Sequence, residues 1–129
     1  MAQPEWRVLV LMLGSSSPIE EWLAGIRDKQ TRARILRQID KVGRGLFGDW
    51  KNLGDAVYEM RLDFGPGYRI YYAKIENTVI LLLGGGHKGT QSSDIQAAKS
   101  ALEQFISDGS PESRIRELDL EENNGDDSS

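Results

Sequence analysis

The sequence contains no cysteine and only one histidine among its 129 residues. Without cysteine the chain can form no disulfide, thiolate metal site or thiol nucleophile. With a single histidine as well, we expect neither a metal site nor a cofactor. The longest apolar runs, Val8 to Leu13 and Val79 to Leu83, are far shorter than the ~20 residues that cross a bilayer. The N-terminus also lacks the basic flank and cleavage site of a signal peptide, so a soluble cytoplasmic protein is expected.

Negative charge is concentrated towards the C-terminus. Residues 1–107 include 14 basic and 12 acidic residues, a net charge of +2, whereas residues 108–129 include two basic and eight acidic residues, a net charge of −6. This last segment has no aromatic side chain and too little apolar surface to offset the entropy lost on ordering. We therefore expect one domain over residues 1–107, followed by an acidic, disordered tail over residues 108–129.

The first third of the chain predicts a strand followed by two helices. Trp6 to Leu13 is an apolar, Val- and Leu-rich strand pattern, and Ser17-Pro18-Ile19-Glu20 is a helix-starting capping box. A second apolar stripe from Lys29 to Val42 predicts another helix, which Gly43 would end. One side of this helix carries four cations at spacings of three and four: Arg34, Arg37, Lys41 and Arg44. Such a basic face can bind an acidic partner or RNA phosphates, or it is simply a solvated surface.

The middle of the chain predicts a β-hairpin. Val57 to Asp63 and Tyr68 to Ile75 alternate around the turn sequence Phe64-Gly65-Pro66-Gly67. In the register that this turn sets, Tyr58, Met60 and Leu62 face Tyr72, Ile70 and Tyr68, and the opposite face carries Glu59, Arg61, Arg69 and Tyr71. Arg61 and Arg69 are then directly opposed, which is destabilising unless an anion lies between them. The pair predicts an anion site, or else surface salt bridges with Glu59 or Asp63.

The remaining elements complete an α+β domain. Thr78 to Gly84 does not alternate, which is typical of a central strand covered on both faces, and we expect a glycine turn after it. Apolar residues at helical spacing then predict a last helix through Ile95, Ala98, Leu102 and Phe105. The predicted order is β-α-α-β-β-β-α, with an antiparallel sheet packed against helices.

The segment Gly84 to Thr90 has the wrong pattern for a nucleotide-binding loop. That loop needs Gly before its Lys and Ser or Thr directly after it, whereas His87 and Gly89 flank Lys88 here. Metal-free cleavage of RNA remains compatible with the residues. It needs cations for the phosphate and a group that transfers protons, and the candidates are Arg61, Arg69, Lys88, His87 and Tyr71. The alternative for His87 is an incidental surface residue.

Three blocks of the sequence carry a specific resemblance: Gly48 to Arg61, Gly65 to Tyr72, and Leu82 to Ile95. In this order, and with Trp22-Leu23 and Arg27-Asp28 before them, they resemble the HigB-like addiction-module killer proteins of the RelE/ParE toxin superfamily. The likeness extends from about Glu20 to Phe105. It implies the β-α-α-β-β-β-α fold and the toxin of a type II toxin-antitoxin pair, inhibited by a cognate antitoxin protein.

The resemblance also implies roles for residues. Relatives of the RelE and HigB kind cut mRNA on the ribosome and so inhibit translation. Carried over by position, Lys51, Arg61, Arg69 and Lys88 would bind RNA phosphate and stabilise the transition state, and His87 or Tyr71 would transfer protons. Two alternatives stay open: a ParE-like inhibitor of DNA gyrase without nuclease activity, and a degenerate relative that only binds antitoxin.

Overall fold

The computed structural model describes residues 5–118. Along the chain these form β1 (Arg7–Leu11), α1 (Pro18–Ala24), α2 (Lys29–Gly43), β2 (Asp49–Gly54), β3 (Val57–Arg61), β4 (Tyr68–Ile75), β5 (Val79–His87), a 3-10 turn (Lys88–Thr90), α3 (Gln91–Ser107), a second 3-10 turn (Glu112–Arg114) and β6 (Ile115–Glu117). The predicted succession from the first strand to the last helix is present, with two further strands. Within residues 5–118, no helix combines the length and apolar composition that crossing a bilayer requires.

The six strands form one mixed sheet in the order β2-β3-β4-β5-β1-β6. β1 lies parallel to β5, and the other neighbouring strands are antiparallel. The prediction of an antiparallel sheet is therefore wrong at this one pairing. β1 and β5 are distant in the sequence, and the chain between them turns back through helices and a meander, so no local turn signal reports their relative direction.

Two strands escaped prediction because neither has a strand-like hydrophobic pattern. β2 is the edge of the sheet and is exposed at five of its six positions. β6 has three residues, of which two are charged and exposed. It pairs with β1 at the other edge, with Ile115 opposite Leu11. Residues 108–118, which were assigned to a disordered tail, thus contribute a strand to the domain; the rest of that predicted tail, 119–129, lies outside the described residues.

Helices cover both faces of the sheet. On one face, α1 and α2 pack on alternate residues of the central strands, in a buried cluster of Val10, Ile19, Leu23, Ile35, Ile39, Val42, Met60, Leu62, Ile70, Tyr72, Ile80 and Leu82. On the other face α3 covers a second cluster, formed by Leu9, Leu11, Val57, Tyr71, Ala73, Leu81, Leu83, Ala98, Ala101, Leu102 and Phe105. Burial on both sides explains why β5 reads as a continuous apolar run, as predicted.

The hairpin register agrees with the prediction. Met60 lies opposite Ile70, Arg61 lies opposite Arg69, and the Leu62 backbone N–H donates to the Tyr68 carbonyl at 3.0 Å. The turn between the strands uses two glycines at positive φ, Gly65 (60°) and Gly67 (83°), where L side chains are disfavoured. This turn places both arginine side chains on the face that α3 covers.

The glycines after Leu83 belong to β5 and do not form the predicted turn. Glycine is required here because the helices approach the strand closely from both sides. A Cβ atom on Gly85 would overlap the indole ring of Trp22 in α1, and one on Gly86 would overlap the carboxylate of Asp94 in α3. The strand therefore continues to His87 and carries Lys88 up to the hairpin turn.

The hydroxyl of Tyr72 is buried in the core and has no hydrogen-bond partner among the described residues. Burial, with a smaller contribution from Tyr58, raises the pKa of Tyr72 to about 12 from the ordinary 10.0. Because the pKa of Tyr72 is raised in the folded state, the stability that depends on its proton is fully present below pH 10. This contribution is lost as the pH rises towards 12.

We predict that Tyr72→Phe flattens this alkaline loss of stability. The free energy of unfolding of the wild type should fall between pH 10 and 12, by about 1.4 kcal/mol per pH unit for each group that must stay protonated. The variant should have a shallower slope, and at pH 7 it should be as stable as the wild type or more so, since no hydrogen bond is lost. Urea unfolding across pH 7–12 measures this, and identical slopes would contradict it.

Candidate functional site

Two like charges face each other at the end of the hairpin, and the chain supplies the anion that compensates them. Glu59 is completely buried on the same face as Arg61 and Arg69. Its Oε1 accepts a hydrogen bond from Arg61 Nε at 3.0 Å, and its Oε2 lies 3.9 Å from Arg69 Nε. The predicted alternative of pairing with Glu59 therefore holds, although the acid is an interior group and not a surface one.

Glu59 also ties this hairpin to α3. Gln91, the first residue of α3, donates from Nε2 to Glu59 Oε2 at 2.5 Å. The buried carboxylate of Glu59 thus accepts hydrogen bonds from Arg61 in β3 and from Gln91 in α3. It also attracts the guanidinium of Arg69 in β4. Several donors offset the cost of burying a carboxylate, whereas an unpaired buried carboxylate would be strongly destabilising.

Arg69 is fixed on its other side by the hairpin turn. Its Nη1 donates to the carbonyls of Gly67 at 3.1 Å and Tyr68 at 3.2 Å, and its side chain is only 13% exposed. The Arg61 side chain is more accessible, at 36%. The pair therefore presents one rigid guanidinium and one that can reach a ligand.

Lys88 reaches the same place from the end of β5. Its backbone N–H donates to the Gly67 carbonyl at 2.9 Å, and a Cβ atom on Gly67 would lie 3.3 Å from Lys88 Cβ. Together these residues bound a cavity of about 400 Å³, here called the arginine cavity, which is lined by Asp49, Arg61, Leu62, Asp63, Phe64, Gly65, Gly67, Arg69 and Lys88. The structure brings together three of the predicted cations.

Tyr71, by contrast, is placed in the interior. Its side chain is completely buried in the α3-side cluster, and its hydroxyl has no hydrogen-bond partner among the described residues. Burial, reinforced by the charges of Glu59 and Asp94, raises the pKa of Tyr71 well above its ordinary value. The hydroxyl is therefore protonated at neutral pH and does not reach the surface, so the predicted proton transfer by Tyr71 to a substrate is not supported by its position.

His87 has a local structural role. Its Nδ1 accepts a hydrogen bond from the Gly89 backbone N–H at 3.0 Å and caps the 3-10 turn that follows. Because Nδ1 is an acceptor, the neutral ring carries its proton on Nε2. His87 is half-buried and is not among the residues that line the arginine cavity.

Lys51 lies on β2, directly opposite Glu59 in the strand pairing. Paired residues point to the same face of a sheet, so Lys51 shares a face with the two arginines. Its side chain is exposed and does not line the arginine cavity. Lys51 is thus a flanking cation of the site.

The basic side of α2 divides into two parts. Arg34, Arg37 and Lys41 line a groove of about 570 Å³, here called the helix groove, together with Gln38, Gly48, Asp49, Arg61, Leu62, Asp63 and Phe64. Five of these residues, from Asp49 to Phe64, also line the arginine cavity, so the two spaces adjoin. Arg44 lies elsewhere, 3.4 Å from Asp40 and beside a cavity near Trp6.

The sequence did not single out three contributors to this site. Gln91 gave no signal, because its role depends on where α3 begins relative to β3. Asp49 lies on the unrecognised β2, and Phe64 is an ordinary turn residue in the sequence. The contribution of Phe64 is visible only in the structure, where the guanidinium carbon of Arg34 lies 3.9 Å from the centre of the Phe64 ring.

The arrangement can bind a chain of anionic groups. Six cations line the two adjoining spaces, and four of them, Arg34, Arg37, Lys41 and Lys88, make no ion pair with another residue in the 5–118 range. Within that range, no three His, Asp or Glu side chains are grouped as metal ligands.

The fold and the site together define a class: an α+β domain with a mixed six-stranded sheet and a cationic groove at one end of it. The chain is 33% identical over 91 residues to an uncharacterized protein of Haemophilus influenzae (strain ATCC 51907 / DSM 11121 / KW20 / Rd), which covers 70% of this chain and 92% of that protein. The chain belongs to the same family as this protein. No protein-family model and no solved structure matches the chain.

We predict that Glu59→Gln destabilises the fold by about 1–3 kcal/mol. Glutamine keeps the shape and one acceptor, but it leaves two arginines without a counter-charge, and the penalty is limited because Arg61 is partly solvated. The matched control is Glu117→Gln, which removes the same charge from an ion pair with Arg7 whose side chains are 66% and 69% exposed. That loss should be under about 1 kcal/mol. Urea unfolding at pH 7 compares them, and equal losses would refute the central role of Glu59.

Proposed function

We propose that the chain is the toxin of a type II toxin-antitoxin pair of the RelE/ParE superfamily. It acts in the cytoplasm as a metal-independent mRNA endoribonuclease on the ribosome, where it inhibits translation until a cognate antitoxin protein binds it. One observation carries the proposal: Arg61, Arg69 and Lys88, from three different strand ends, converge on one cavity. The resemblance of the three sequence blocks to HigB-like proteins supplies the toxin class.

The cavity suits the chemistry of metal-free RNA cleavage. The 2′-hydroxyl loses its proton and attacks the adjacent phosphorus, the bond to the next 5′-oxygen breaks, and that oxygen takes up a proton. Negative charge grows on the phosphate oxygens in the transition state, where cations that are already in position are most effective. Arg69 is held by two carbonyls, Arg61 by Glu59, and Lys88 adds a point charge.

Proton transfer in this mechanism falls to His87 and to groups that surround the mRNA on the ribosome. The buried Tyr71 hydroxyl takes no part, and Nε2 is the atom of His87 that can donate, since Nδ1 accepts from the Gly89 backbone N–H. A histidine protonates a leaving oxygen only as the imidazolium ion, because loss of the Nε2 proton from the neutral ring would leave an imidazolate. As the donor at the leaving oxygen, His87 therefore first takes up a proton at Nδ1, which releases the cap on the following turn, and then gives its Nε2 proton to that oxygen.

A second candidate is a ParE-like inhibitor of DNA gyrase without nuclease chemistry. It is favoured by the small number of accessible acid and base groups, since Tyr71 is buried, Glu59 is bonded to Arg61, and His87 caps a turn. A binding protein needs only the charged surface. A degenerate relative that only binds antitoxin would need even fewer functional groups than a gyrase inhibitor.

Induced expression in bacteria separates these functions. Mapping of transcript 5′ ends and of DNA double-strand breaks is done in parallel. The nuclease produces new ends inside translated messages, and the gyrase inhibitor produces breaks that depend on gyrase. Normal growth with neither product would overturn both and indicate the degenerate form.

We predict that Lys88→Ala lowers the yield of new transcript ends at least tenfold, because it removes a cation that contacts the phosphate in the transition state. Lys88 is exposed and has no ion pair among the described residues, so the fold should be retained. The matched control is Arg7→Ala, which removes one charge near the beginning of β1, far along the sheet from the cavity.

Arg61→Ala tests the same cavity but would leave Glu59 without its closest partner. It is therefore made together with Glu59→Gln and compared with Glu59→Gln alone. We expect the double variant to be inactive and the single variant to retain cleavage. Undiminished cleavage by both Lys88→Ala and the double variant would exclude this cavity as the nuclease site.

A further inference from the structure

The helix groove contains more than phosphate-binding charge. The guanidinium carbon of Arg34 lies over the ring of Phe64, 3.9 Å from its centre, and this pair is here called the platform. Phe64 is held edge-on against Tyr68 (5.6 Å between ring centres), which is in turn held against Trp22 of α1 (5.9 Å). These ring contacts hold Phe64 in place through Tyr68 and Trp22, while Arg34 itself is exposed.

Two acids lie in this otherwise cationic groove. Asp49 and Asp63 are exposed, line both the helix groove and the arginine cavity, and make no ion pair with another residue of the 5–118 range. Gln38 adds an amide at the same wall, since a Cβ atom on Gly48 would lie 3.1 Å from its Nε2. Free carboxylates weaken the attraction for a uniformly acidic ligand such as an acidic peptide segment. They suit a ligand that carries phosphates and N–H donors together.

We propose that the helix groove is a base-recognition subsite for single-stranded RNA, adjacent to the scissile phosphate. The base stacks on the Arg34–Phe64 platform, and its exocyclic amino group donates to Asp63 or Asp49. Adenine, cytosine and guanine carry such a group and uracil does not, so the subsite disfavours uracil. This inference rests on the proposed nuclease function and names what determines its sequence preference.

The geometry of the groove fits one continuous strand. Arg61 lines both spaces, so a phosphate at Arg61 joins the nucleotide in the helix groove to the one beside Arg69 and Lys88. Arg37 and Lys41 lie along the same groove, where they are placed to contact the next phosphate. Stacking on a planar side chain together with backbone neutralisation is the usual mode of binding for single strands.

The test measures binding of 2′-O-methyl heptanucleotides, which cannot be cleaved, by fluorescence anisotropy at fixed salt. One strand is all uridine, and the others carry a single adenine or cytosine at the central position. The wild type should bind the substituted strands about tenfold more tightly than the all-uridine strand. Asp63→Asn combined with Asp49→Asn should reduce this ratio to near one, because asparagine can pair with uracil as well.

Two further variants separate stacking from charge. Phe64→Leu should weaken the binding of all strands about tenfold through the loss of the platform. Lys88→Ala should weaken all strands while leaving the ratio unchanged, and Arg7→Ala should change neither quantity. The ratio does not depend on the fraction of folded protein, so a partly unfolded variant still gives an informative result.

The outcomes distinguish this inference from the function on which it rests. Wild-type binding that depends on Lys88 but has no base preference would overturn the subsite and leave the nuclease proposal intact. A preference that survives Asp63→Asn with Asp49→Asn would also overturn it. RNA binding that is unaffected by Phe64→Leu and Arg34→Ala would mean that the α2 face serves a protein partner instead. If the wild type binds no RNA even at low salt, the subsite fails, whereas the nuclease proposal fails only when induced expression produces no new transcript ends.

Discussion

Two helices approach the central strand β5 from opposite faces, and the rest of the molecule is arranged around that contact. The approach is possible because Gly85 leaves space for the Trp22 ring and Gly86 leaves space for Asp94. A side chain at either position would force a helix away from the sheet. Because the glycines let the strand continue, Lys88 arrives beside the hairpin turn and not in a loop above it.

The second constraint is electrostatic. The hairpin register places two arginines directly opposite each other, and a buried glutamate balances them. A charge buried in this way is tolerated only with several partners, which is why Glu59 also bonds to the first residue of α3. The result is that the Arg69 guanidinium is held in position before any ligand arrives, while the more exposed Arg61 side chain can reach a ligand. In the proposed nuclease function, a cation that is already in position would stabilise the charge of the transition state.

Local patterns predicted a large part of this fold. The alternation around Phe64-Gly65-Pro66-Gly67 was sufficient to obtain the register of β3 and β4 residue by residue. The cap at Ser17 and the extent of α2 followed from spacing and capping residues. The edge strands β2 and β6 could not be found, because an exposed edge needs no apolar alternation. Residues 108–118 contain the edge strand β6 although they are rich in charge, because an exposed edge strand tolerates charged side chains.

The sequence by itself determined which residues are chemically able to act: the opposed arginines, Lys88, and the row of cations on α2. Periodicity and turn chemistry are local properties, so they report faces and registers within one element or one hairpin. Only the tertiary structure decided that Glu59 lies buried beside the arginines, that Tyr71 is an interior residue, and that Arg44 is separate from the groove. Those outcomes depend on which elements pack together, and packing partners distant in the sequence leave no trace in local spacing.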